Sequence, residues 1–304
     1  MKILALVMAG GEGSRLHPLT ADRAKPAISF AGRYRIVDFV LSNLVNSGIT
    51  SIYVLAQYKP QSLIEHIRAA WAPALRGPGR FVSVVLPGAD LARGPFLGTA
   101  DAVRKNLHLC ARHAPDLVAV FAADHVYRMD VGQMVEAHVQ SKADVSVAAV
   151  PVPVERASPF GIIAAHADGR IHEFQEKPER PAPIPQRPSH AYASMGNYLF
   201  DPGVLAELLD KTARPGETDF GRHILPRAMA THRVFAYDFA CNRVPGILPH
   251  EERNYWRDVG TIEAYRAAQR DASGPRPKFS LANGRWPIGG GSRGRVAERT
   301  ATLH

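Results

Sequence analysis

The sequence predicts an α/β fold with a mixed, mostly parallel sheet flanked by helices. Residues 3–8 form a continuous apolar run, which is typical of a strand buried on both faces of a parallel sheet. From there to residue 150, short apolar segments alternate with segments of helical periodicity. This alternation indicates parallel strands joined by helices that cover the sheet.

The elements follow one another in a regular order. Up to residue 150 we predict strands at 3–8, 51–57, 81–86, 117–122 and 145–150, and helices at 35–46, 63–71, 99–109 and 131–140, with Thr99 as a helix cap. Beyond it we predict short strands at 162–165, 171–176 and 192–200, and helices at 204–209 and 261–270. This second half is expected to extend the sheet in antiparallel fashion.

Composition after residue 270 differs from that of the rest of the chain. Residues 271–304 are rich in Gly, Pro, Ser and Arg and end in GGGSRGRVAERTATLH. We therefore expect one catalytic domain at 1–270 and a basic, partly disordered tail at 271–304.

The charge balance favours a phosphate-rich partner. The chain has 37 Lys and Arg against 28 Asp and Glu, a formal net charge of +9. Much of the excess lies in the tail, without interleaved aromatic residues or a nucleic-acid-binding motif, so we expect no nucleic-acid partner. No apolar stretch reaches the roughly 18 residues of a membrane span, and two distant cysteines suit a reducing compartment. We expect a cytoplasmic protein without a membrane partner, with a homo-oligomer as one possible state.

A glycine-rich turn follows the first strand in AGGEGSRL. Such a turn lets backbone N–H groups approach a polyphosphate closely. The turn is not a Walker A loop, because no Lys follows Gly13 at the required spacing. It is not a dinucleotide fingerprint either, because Leu16 stands where a third glycine is needed. Arg15 and Lys25 lie nearby and supply positive charge for a triphosphate. The alternative is a tight turn followed by a basic surface loop.

Two acidic residues are candidates for a metal site. Asp124 ends a buried strand in AADHVY, and Asp258 lies far along the chain in YWRDVGT. A carboxylate at the carboxyl end of a strand can hold a divalent metal against phosphate oxygens. The alternative for a single such Asp is a helix cap. His125 neighbours Asp124 but is not assigned a direct role.

These motifs together resemble a known family. AGGEGSRLHPLTADRAKPAISFAGRYRIVDFVLSN is similar to the signature of bacterial ADP-glucose pyrophosphorylases, within the wider sugar-nucleotide pyrophosphorylases, and the likeness runs from about residue 3 to 270. The resemblance implies a Rossmann-like nucleotide-diphospho-sugar transferase fold. It also implies transfer of a nucleoside monophosphate from an NTP, by default ATP, to a sugar 1-phosphate, by default glucose 1-phosphate. Pyrophosphate leaves, an NDP-sugar forms, and the reaction belongs to glycogen and carbohydrate metabolism.

The resemblance also implies roles for individual residues. Mg²⁺ would be held by Asp124 and Asp258, and catalysis would rest on Arg15, Lys25 and Asp124. The residues implied to bind the nucleotide are Ala9, Gly10, Gly11, Gly13, Asp90, Gly98 and Thr99. Those implied to bind the sugar phosphate are Gly161, Glu176, Lys177, Ser194, Asp219, Phe220 and Trp256. A sugar phosphate is already nucleophilic at neutral pH, so no general base is expected.

Three departures from the family pattern leave the substrates open. Asp90 stands where the family has a glutamine that reads adenine, and an ionised Asp, which only accepts hydrogen bonds, suits guanine better. Residues 95–97 read Pro-Phe-Leu where the family has Trp-Tyr-Arg, and the chain stops soon after Ile288, where family members enter a left-handed β-helix domain. We expect a weak or absent response to sugar-phosphate activators.

Two alternatives follow from these departures. One is a GTP- or ATP-dependent nucleotidylyltransferase of secondary metabolism that acts on a cyclitol 1-phosphate resembling valienol 1-phosphate, a pseudo-sugar phosphate. The other, from a different class, is a catalytically silent regulatory subunit that binds nucleotide sugars. The silent subunit is disfavoured because both cations and both aspartates are present.

Overall fold

The computed structural model describes residues 1–75, 77–88, 94–210 and 216–291. The chain divides into two compact units. The first unit comprises Met1–Leu4, Gly88–Phe121 and Gln133–Asn242. The second unit comprises Ala5–Pro87, Ala122–Gly132 and Arg243–His304. The predicted catalytic domain therefore consists of two units whose segments alternate along the chain.

Within the described residues the strands are β1 Ile3–Ala9, β2 Ser29–Phe30, β3 Tyr34–Arg35, β4 Ser51–Ala56, β5 Phe81–Val85, β6 Leu117–Ala122, β7 His125–Tyr127, β8 Val145–Pro153, β9 Gly161–Ala165, β10 Ile171–Glu176, β11 His190–Phe200, β12 Val234–Asp238 and β13 Trp256–Asp258. The α-helices are α1 Val37–Asn46, α2 Gln61–His66, α3 Thr99–Lys105, α4 Leu107–His113, α5 Val131–Gln140, α6 Pro202–Asp210, α7 Leu225–Thr231 and α8 Ile262–Asp271. The predicted fold class, an α/β fold with a mixed sheet flanked by helices, is confirmed.

The long strand β11 organises the first unit. It pairs antiparallel with β6, β8 and β9, while β12 pairs parallel with β8 and β10 pairs antiparallel with β9. Its pairing with β8 shifts register between Ser194 and Tyr198, around Gly196, whose φ of 69° lies in the left-handed region. A bulge of this kind re-aims the side chains on either side of it.

Parallel pairing characterises the second unit. Strands β4 and β5 pair parallel from Ser51 opposite Phe81, and β1 is the neighbour of β4. Two small antiparallel sheets, β2 with β3 and β7 with β13, complete its strands. Its core is built from aromatic and aliphatic side chains of α1, β7 and the segments that flank β13 and follow α8.

The first part of the predicted tail packs into this core. Phe279 stacks on Tyr255 with ring centroids 4.7 Å apart and contacts Phe39 at 5.8 Å. Trp286 and Ile288 are also buried. Gly290, with φ +79°, packs so closely against the buried carboxylate of Asp38 that a Cβ atom would overlap it. The first part of the segment predicted as a partly disordered tail thus packs against this core up to residue 291, because a few large apolar side chains anchor a stretch of disorder-prone composition.

Predicted and observed elements differ at a few other points. The helix predicted at 99–109 is split at Asn106, which is non-helical and whose amide donates to the carbonyl of Ala102 at 2.8 Å. Gly98, not Thr99, occupies the cap position. Cys110 is buried and Cys241 is exposed. In the described residues, no helix is both long and apolar enough to cross a membrane.

The burial of Phe279 predicts a stability cost for its truncation. We expect Phe279→Ala to lower the free energy of unfolding by about 3 kcal/mol or more, because the ring fills a closed core site. The matched control Leu248→Ala, at a side chain that is 47% exposed, should cost less than about 1 kcal/mol. Denaturant unfolding of both variants measures the difference. An unchanged midpoint for Phe279→Ala would show that this segment does not belong to the core.

Candidate active site

The glycine-rich turn lies at the end of β1 in the second unit. Ala9, the last residue of the strand, is buried, and Gly10 and Gly11 follow it. Gly13 has φ +66°, and a Cβ atom there would lie only 3.0 Å from Cβ of Lys25. Thr20 donates from its hydroxyl to the Gly13 carbonyl at 3.1 Å. Glycine is thus required at position 13 both by its backbone conformation and by the closeness of Lys25.

Lys25 is held by the chain immediately around it. It begins a short 3₁₀ turn, Lys25–Ala27, in which Pro26 sets the backbone and all three residues are buried. Its ammonium group contacts Asp124 Oδ2 at 2.9 Å and Asp258 Oδ1 at 3.2 Å. One buried cation therefore bridges two carboxylates from distant parts of the sequence.

Strand pairing brings these two carboxylates together. In the antiparallel sheet of β7 and β13, Asp258 lies opposite His125 and Trp256 opposite Tyr127. Asp124 immediately precedes β7, so the register places it beside Asp258. The predicted convergence of Asp124 and Asp258 agrees with this arrangement.

The bridging charges shift the pKa values of these groups. Burial alone would raise the pKa of Asp124, but the positive charges of His125 and Lys25, with the Lys25 hydrogen bond, lower it to about 2. Burial alone would lower the pKa of Lys25, but Asp124 and Asp258 outweigh burial and raise it. At neutral pH Lys25 is therefore charged and Asp124 is ionised.

Asp124, His125 and Asp258 also form a group that could hold a metal ion. Each offers one ligand atom, and these atoms lie within 4.8 Å of one another. Carboxylate oxygens are the donors that hard divalent cations prefer. Nδ1 of His125 is buried and has no hydrogen-bond partner in the described structure, and its ring lies 4.9 Å from that of Trp256. Sequence reasoning left His125 unassigned, although its position next to Asp124 at a strand end was a usable signal.

Arg15 belongs to the same cluster. It lies in the short 3₁₀ turn Ser14–Leu16 that follows the glycines. A Cβ atom placed on Gly260 would lie 3.2 Å from its Nη2 and 3.1 Å from both carboxylate oxygens of Asp258. The guanidinium of Arg15 and the Asp258 carboxylate therefore flank the Gly260 backbone. All the residues predicted to be catalytic, Arg15, Lys25 and Asp124, thus lie with Asp258 in the second unit.

A second group of predicted residues is assembled in the first unit around Thr99. Its hydroxyl donates to Asp219 Oδ2 at 3.1 Å and accepts from the Phe220 backbone N–H at 3.1 Å. Gly98 packs against the Thr218 backbone so closely that a Cβ atom would overlap it. Thr99 was predicted with the nucleotide residues, and the structure places it in direct contact with two predicted sugar-phosphate residues.

Glu176 lies next to two glycines in the first unit. A Cβ atom on Gly161 would lie 3.4 Å from Glu176 Oε2, and one on Gly221 would lie 3.2 Å from it. Lys177 is exposed, has φ +49°, and its ammonium is 3.4 Å from Glu176 Oε1. Gly221 was not singled out from the sequence, because a glycine within a helical turn carries no pattern of its own.

Tyr198 is a further residue that sequence reasoning missed. It is buried beside Phe220, at a ring-centroid distance of 5.5 Å, and interacts with Ser194 on the other side of the bulge. Burial is the main cause that raises the pKa of its hydroxyl, which also faces the negative charges of Asp219 and Glu176. Trp256, predicted with this group, lies in the second unit on β13. Asp90 lies outside the described residues.

Comparison with known proteins places this site in a family. The family model described as "Nucleotidyl transferase" matches residues 4–273. The chain belongs to this family. It is 52% identical over 288 residues to glucose-1-phosphate adenylyltransferase of Thermodesulfovibrio yellowstonii, covering 94% of this chain and 70% of that protein. It is 50% identical to the enzyme of that name from Thermus thermophilus (95% and 71% covered) and 46% identical to that of Corynebacterium glutamicum (97% and 72%).

Membership of the nucleotidyl transferase family confirms the predicted reaction class, the transfer of a nucleotidyl group by an enzyme. The family uses a divalent metal, and the Asp124, His125 and Asp258 group fits one. The predicted roles of the individual site residues remain predictions.

Because Gly13 lies so close to Lys25, adding a methyl group at position 13 should affect catalysis more than the same change at a glycine elsewhere. Gly13→Ala should lower the nucleotidyl-transfer rate about tenfold or more, because the new Cβ displaces Lys25. The control is Gly48→Ala, where φ is +80° and no atom lies within 4 Å of the added Cβ. Both variants should lose about 1 kcal/mol of stability through backbone strain. Equal rates in the two variants, measured by pyrophosphate release, would contradict the prediction.

The pKa of Asp124 predicts a second measurable effect. Because this pKa is lowered to about 2, the stabilisation by ionised Asp124 is complete above its unfolded value near 4 and is lost as the pH falls through about 2. Lys25→Met should move the pKa upward, since it removes one of the two cations. Carboxyl ¹³C NMR titration measures the shift, with Arg233→Met as a distant control. If the pKa of Asp124 stays near 2 in Lys25→Met, Lys25 does not contribute to lowering it.

Proposed function

We propose that this protein transfers the adenylyl group of ATP to glucose 1-phosphate, forming ADP-glucose and releasing pyrophosphate, with Mg²⁺ as its metal. The observation that carries the proposal is the contact of Lys25 with both Asp124 and Asp258, beside the glycine-rich turn. The printed names of relatives about 50% identical to this chain support ATP and glucose 1-phosphate as substrates.

Adenylyl transfer requires little acid–base chemistry from the protein. An oxygen of the sugar phosphate forms a bond to the α-phosphorus of ATP, and the bond from that phosphorus to the pyrophosphate oxygen breaks. The incoming phosphate is already ionised at neutral pH, so no side chain needs to remove a proton. Catalysis therefore rests on the placement of charge and of the reacting groups.

Lys25 and Arg15 supply the positive charge of the protein. Two of the three ammonium protons of Lys25 are engaged by carboxylates, which leaves one for a phosphate oxygen within the described structure. Its raised pKa keeps Lys25 charged throughout the neutral range. Arg15 directly follows the glycines and offers a planar donor group beside them. A Cβ atom added to Gly11 would meet nothing within 4 Å, so the backbone there is open to a phosphate.

Asp124 and Asp258 are the residues that would hold Mg²⁺. A bound Mg²⁺ supplies charge neutralisation to the phosphate oxygens as the bond to pyrophosphate breaks. Lys25 helps to lower the pKa of Asp124, and its own backbone is held in the buried Lys25–Ala27 turn.

The first unit supplies the acceptor residues in this proposal. Asp219 and Glu176 offer carboxylate oxygens to sugar hydroxyls, and exposed Lys177 offers a cation to the phosphate. The backbone N–H of Arg222 and the Thr99 hydroxyl each donate to one oxygen of Asp219 and so fix its orientation. Trp256 of the second unit is retained as a sugar-phosphate residue.

A substrate panel tests the proposal. Purified protein with Mg²⁺ is assayed for pyrophosphate release with ATP, GTP, UTP and dTTP, each against glucose 1-phosphate and cyclitol 1-phosphates. We expect the highest kcat/KM for ATP with glucose 1-phosphate. A preference for GTP would identify Asp90 as a guanine-reading residue, and a preference for a cyclitol phosphate would favour the secondary-metabolism alternative. Absence of turnover with every pair would overturn the assignment.

A variant pair shows whether the reaction belongs to this site. Asp258→Asn should lower kcat about 100-fold or more and raise the Mg²⁺ concentration needed for half-maximal rate. Asp168→Asn, at an exposed turn residue of the first unit, should behave like the wild type. If Asp258→Asn turns over at the wild-type rate, the metal carboxylates lie elsewhere.

A further inference from the structure

The strand that carries Asp258 is too short to be rigid alone. Strands β7 and β13 have three residues each and pair only with one another in the described structure. A two-stranded sheet of this size is marginally stable in water. Lys25 contacts the Asp258 carboxylate on one face of β13. Contacts on the other face are therefore needed to hold the strand itself in place.

Arg257 occupies that other face. Alternation along a strand places Trp256 and Asp258 on one side and Arg257 on the other. The residue opposite Arg257 is Val126, which is fully buried in the core of the second unit. Contacts made by Arg257 therefore act on the backbone of Asp258 without reaching the candidate site itself.

The guanidinium of Arg257 is bound on several sides. It makes two hydrogen bonds to Glu252, at 2.9 and 2.5 Å, and its Nε donates to Asp271 at 3.3 Å. It also lies 4.2 Å from the ring centroid of Tyr255, whose hydroxyl donates to Asp271 at 3.2 Å. Burial alone would lower the pKa of Arg257, but the two carboxylates outweigh burial and raise it.

Asp271 connects this network to the segment that follows α8. Asp271 ends α8 and contacts the ammonium of Lys278 at 3.2 Å, while its carbonyl accepts from the Phe279 N–H at 3.1 Å. The Glu252 N–H donates to the Lys278 carbonyl at 2.9 Å. Both carboxylate partners of Arg257 are thus tied to residues 278 and 279.

The partner strand is tied to the same segment. Arg128 follows β7 directly, is buried, and pairs with Glu251 at 3.2 Å. It also donates to the Ser280 carbonyl and lies 4.6 Å from the Phe279 ring centroid. Arg128 thus connects the end of β7 directly to this segment, and Arg257 connects β13 to it through Glu252 and Asp271.

We propose that Arg257 is a positioning residue for Asp258: its fork to Glu252 and Asp271 holds β13 against the segment 271–280 and thereby sets the geometry of the metal site. The inference rests on the proposed metal site at Asp124 and Asp258. Only Arg fits this position, because its planar group pairs with two carboxylates at once, whereas Lys is a point charge on a flexible chain.

The test compares Arg257→Met and Arg257→Lys with a matched control. Arg233→Met removes another arginine fork, to Asp144 at 2.8 and 3.3 Å, from the first unit. Binding of Mn²⁺ alone is counted by electron paramagnetic resonance, and stability is followed by denaturant unfolding. We expect the Mn²⁺ dissociation constant to rise about tenfold or more in Arg257→Met, less in Arg257→Lys, and not at all in Arg233→Met. The unfolding midpoints of the two Met variants should fall by similar amounts.

Wild-type Mn²⁺ affinity in Arg257→Met would overturn the inference. If that variant does not fold, Arg257→Lys and Asp271→Asn replace it, and wild-type affinity in both has the same meaning. If the wild type itself does not bind Mn²⁺, the proposed metal site fails, and amide hydrogen exchange across residues 256–258 then decides whether Arg257 positions Asp258. Faster exchange in Arg257→Met but not in Arg233→Met supports the positioning role, and unchanged exchange refutes it.

Discussion

The ion-pair bridge from Lys25 to Asp124 and Asp258 is the interaction on which the arrangement of the candidate site in the second unit depends. Its members come from the turn after the glycines, from the end of β6 and from β13, at separations of 99 and 233 positions from Lys25. Two carboxylates placed this close would repel one another, and the buried ammonium removes that repulsion. The glycine turn, the 3₁₀ turn at Lys25 and the pairing of β7 with β13 are the local structures that make the bridge possible.

The segment after α8 has a structural role that its composition conceals. Phe279 packs into the core, and its N–H donates to the Asp271 carbonyl. The carbonyls of Lys278 and Ser280 on either side of it accept from Glu252 and Arg128. Farther along, the Gly289 N–H donates to the Ser42 hydroxyl, and Gly290 lies against Asp38, which also binds His66 and Trp71. The segment thus contacts α1 as well as the networks of Arg128 and Arg257. It therefore belongs with the elements that support the site.

Sequence reasoning succeeded where a local pattern reports directly on structure. The apolar run of β1, the buried strand β6 and the glycines after Ala9 were predictable, because continuous hydrophobicity and φ above zero leave clear traces in a sequence. Strands β7 and β13 were not predicted, since three-residue strands show no periodicity and their pairing joins distant segments. The helix break at Asn106 and the packing of residues 271–291 were missed. Each depends on one or two side chains within a stretch whose composition indicates something else, a continuous helix in the first case and a disordered segment in the second.

Among the site residues, those next to glycine or at strand ends were identified from sequence, and those defined by tertiary contacts were not. Tyr198 and Gly221 acquire meaning only through the bulge of β11 and the turn at Asp219, which bring them beside Ser194 and Glu176. Arg257 lies within the motif YWRDVGT, but the sequence does not reveal its hydrogen bonds to Glu252 and Asp271. They form only because the end of α8 lies beside β13 in the folded unit.

The long sequence separation of the bridge also bears on biosynthesis. A growing chain that has reached residue 250 already contains the glycine turn, Lys25 and Asp124, but lacks Asp258 and the arginine that supports it. Until Asp258 has left the ribosome, Lys25 can pair with only one of its two carboxylates. Contacts of such range close late in folding. The emerging chain consequently has a period in which the second unit is incomplete and open to chaperones and proteases.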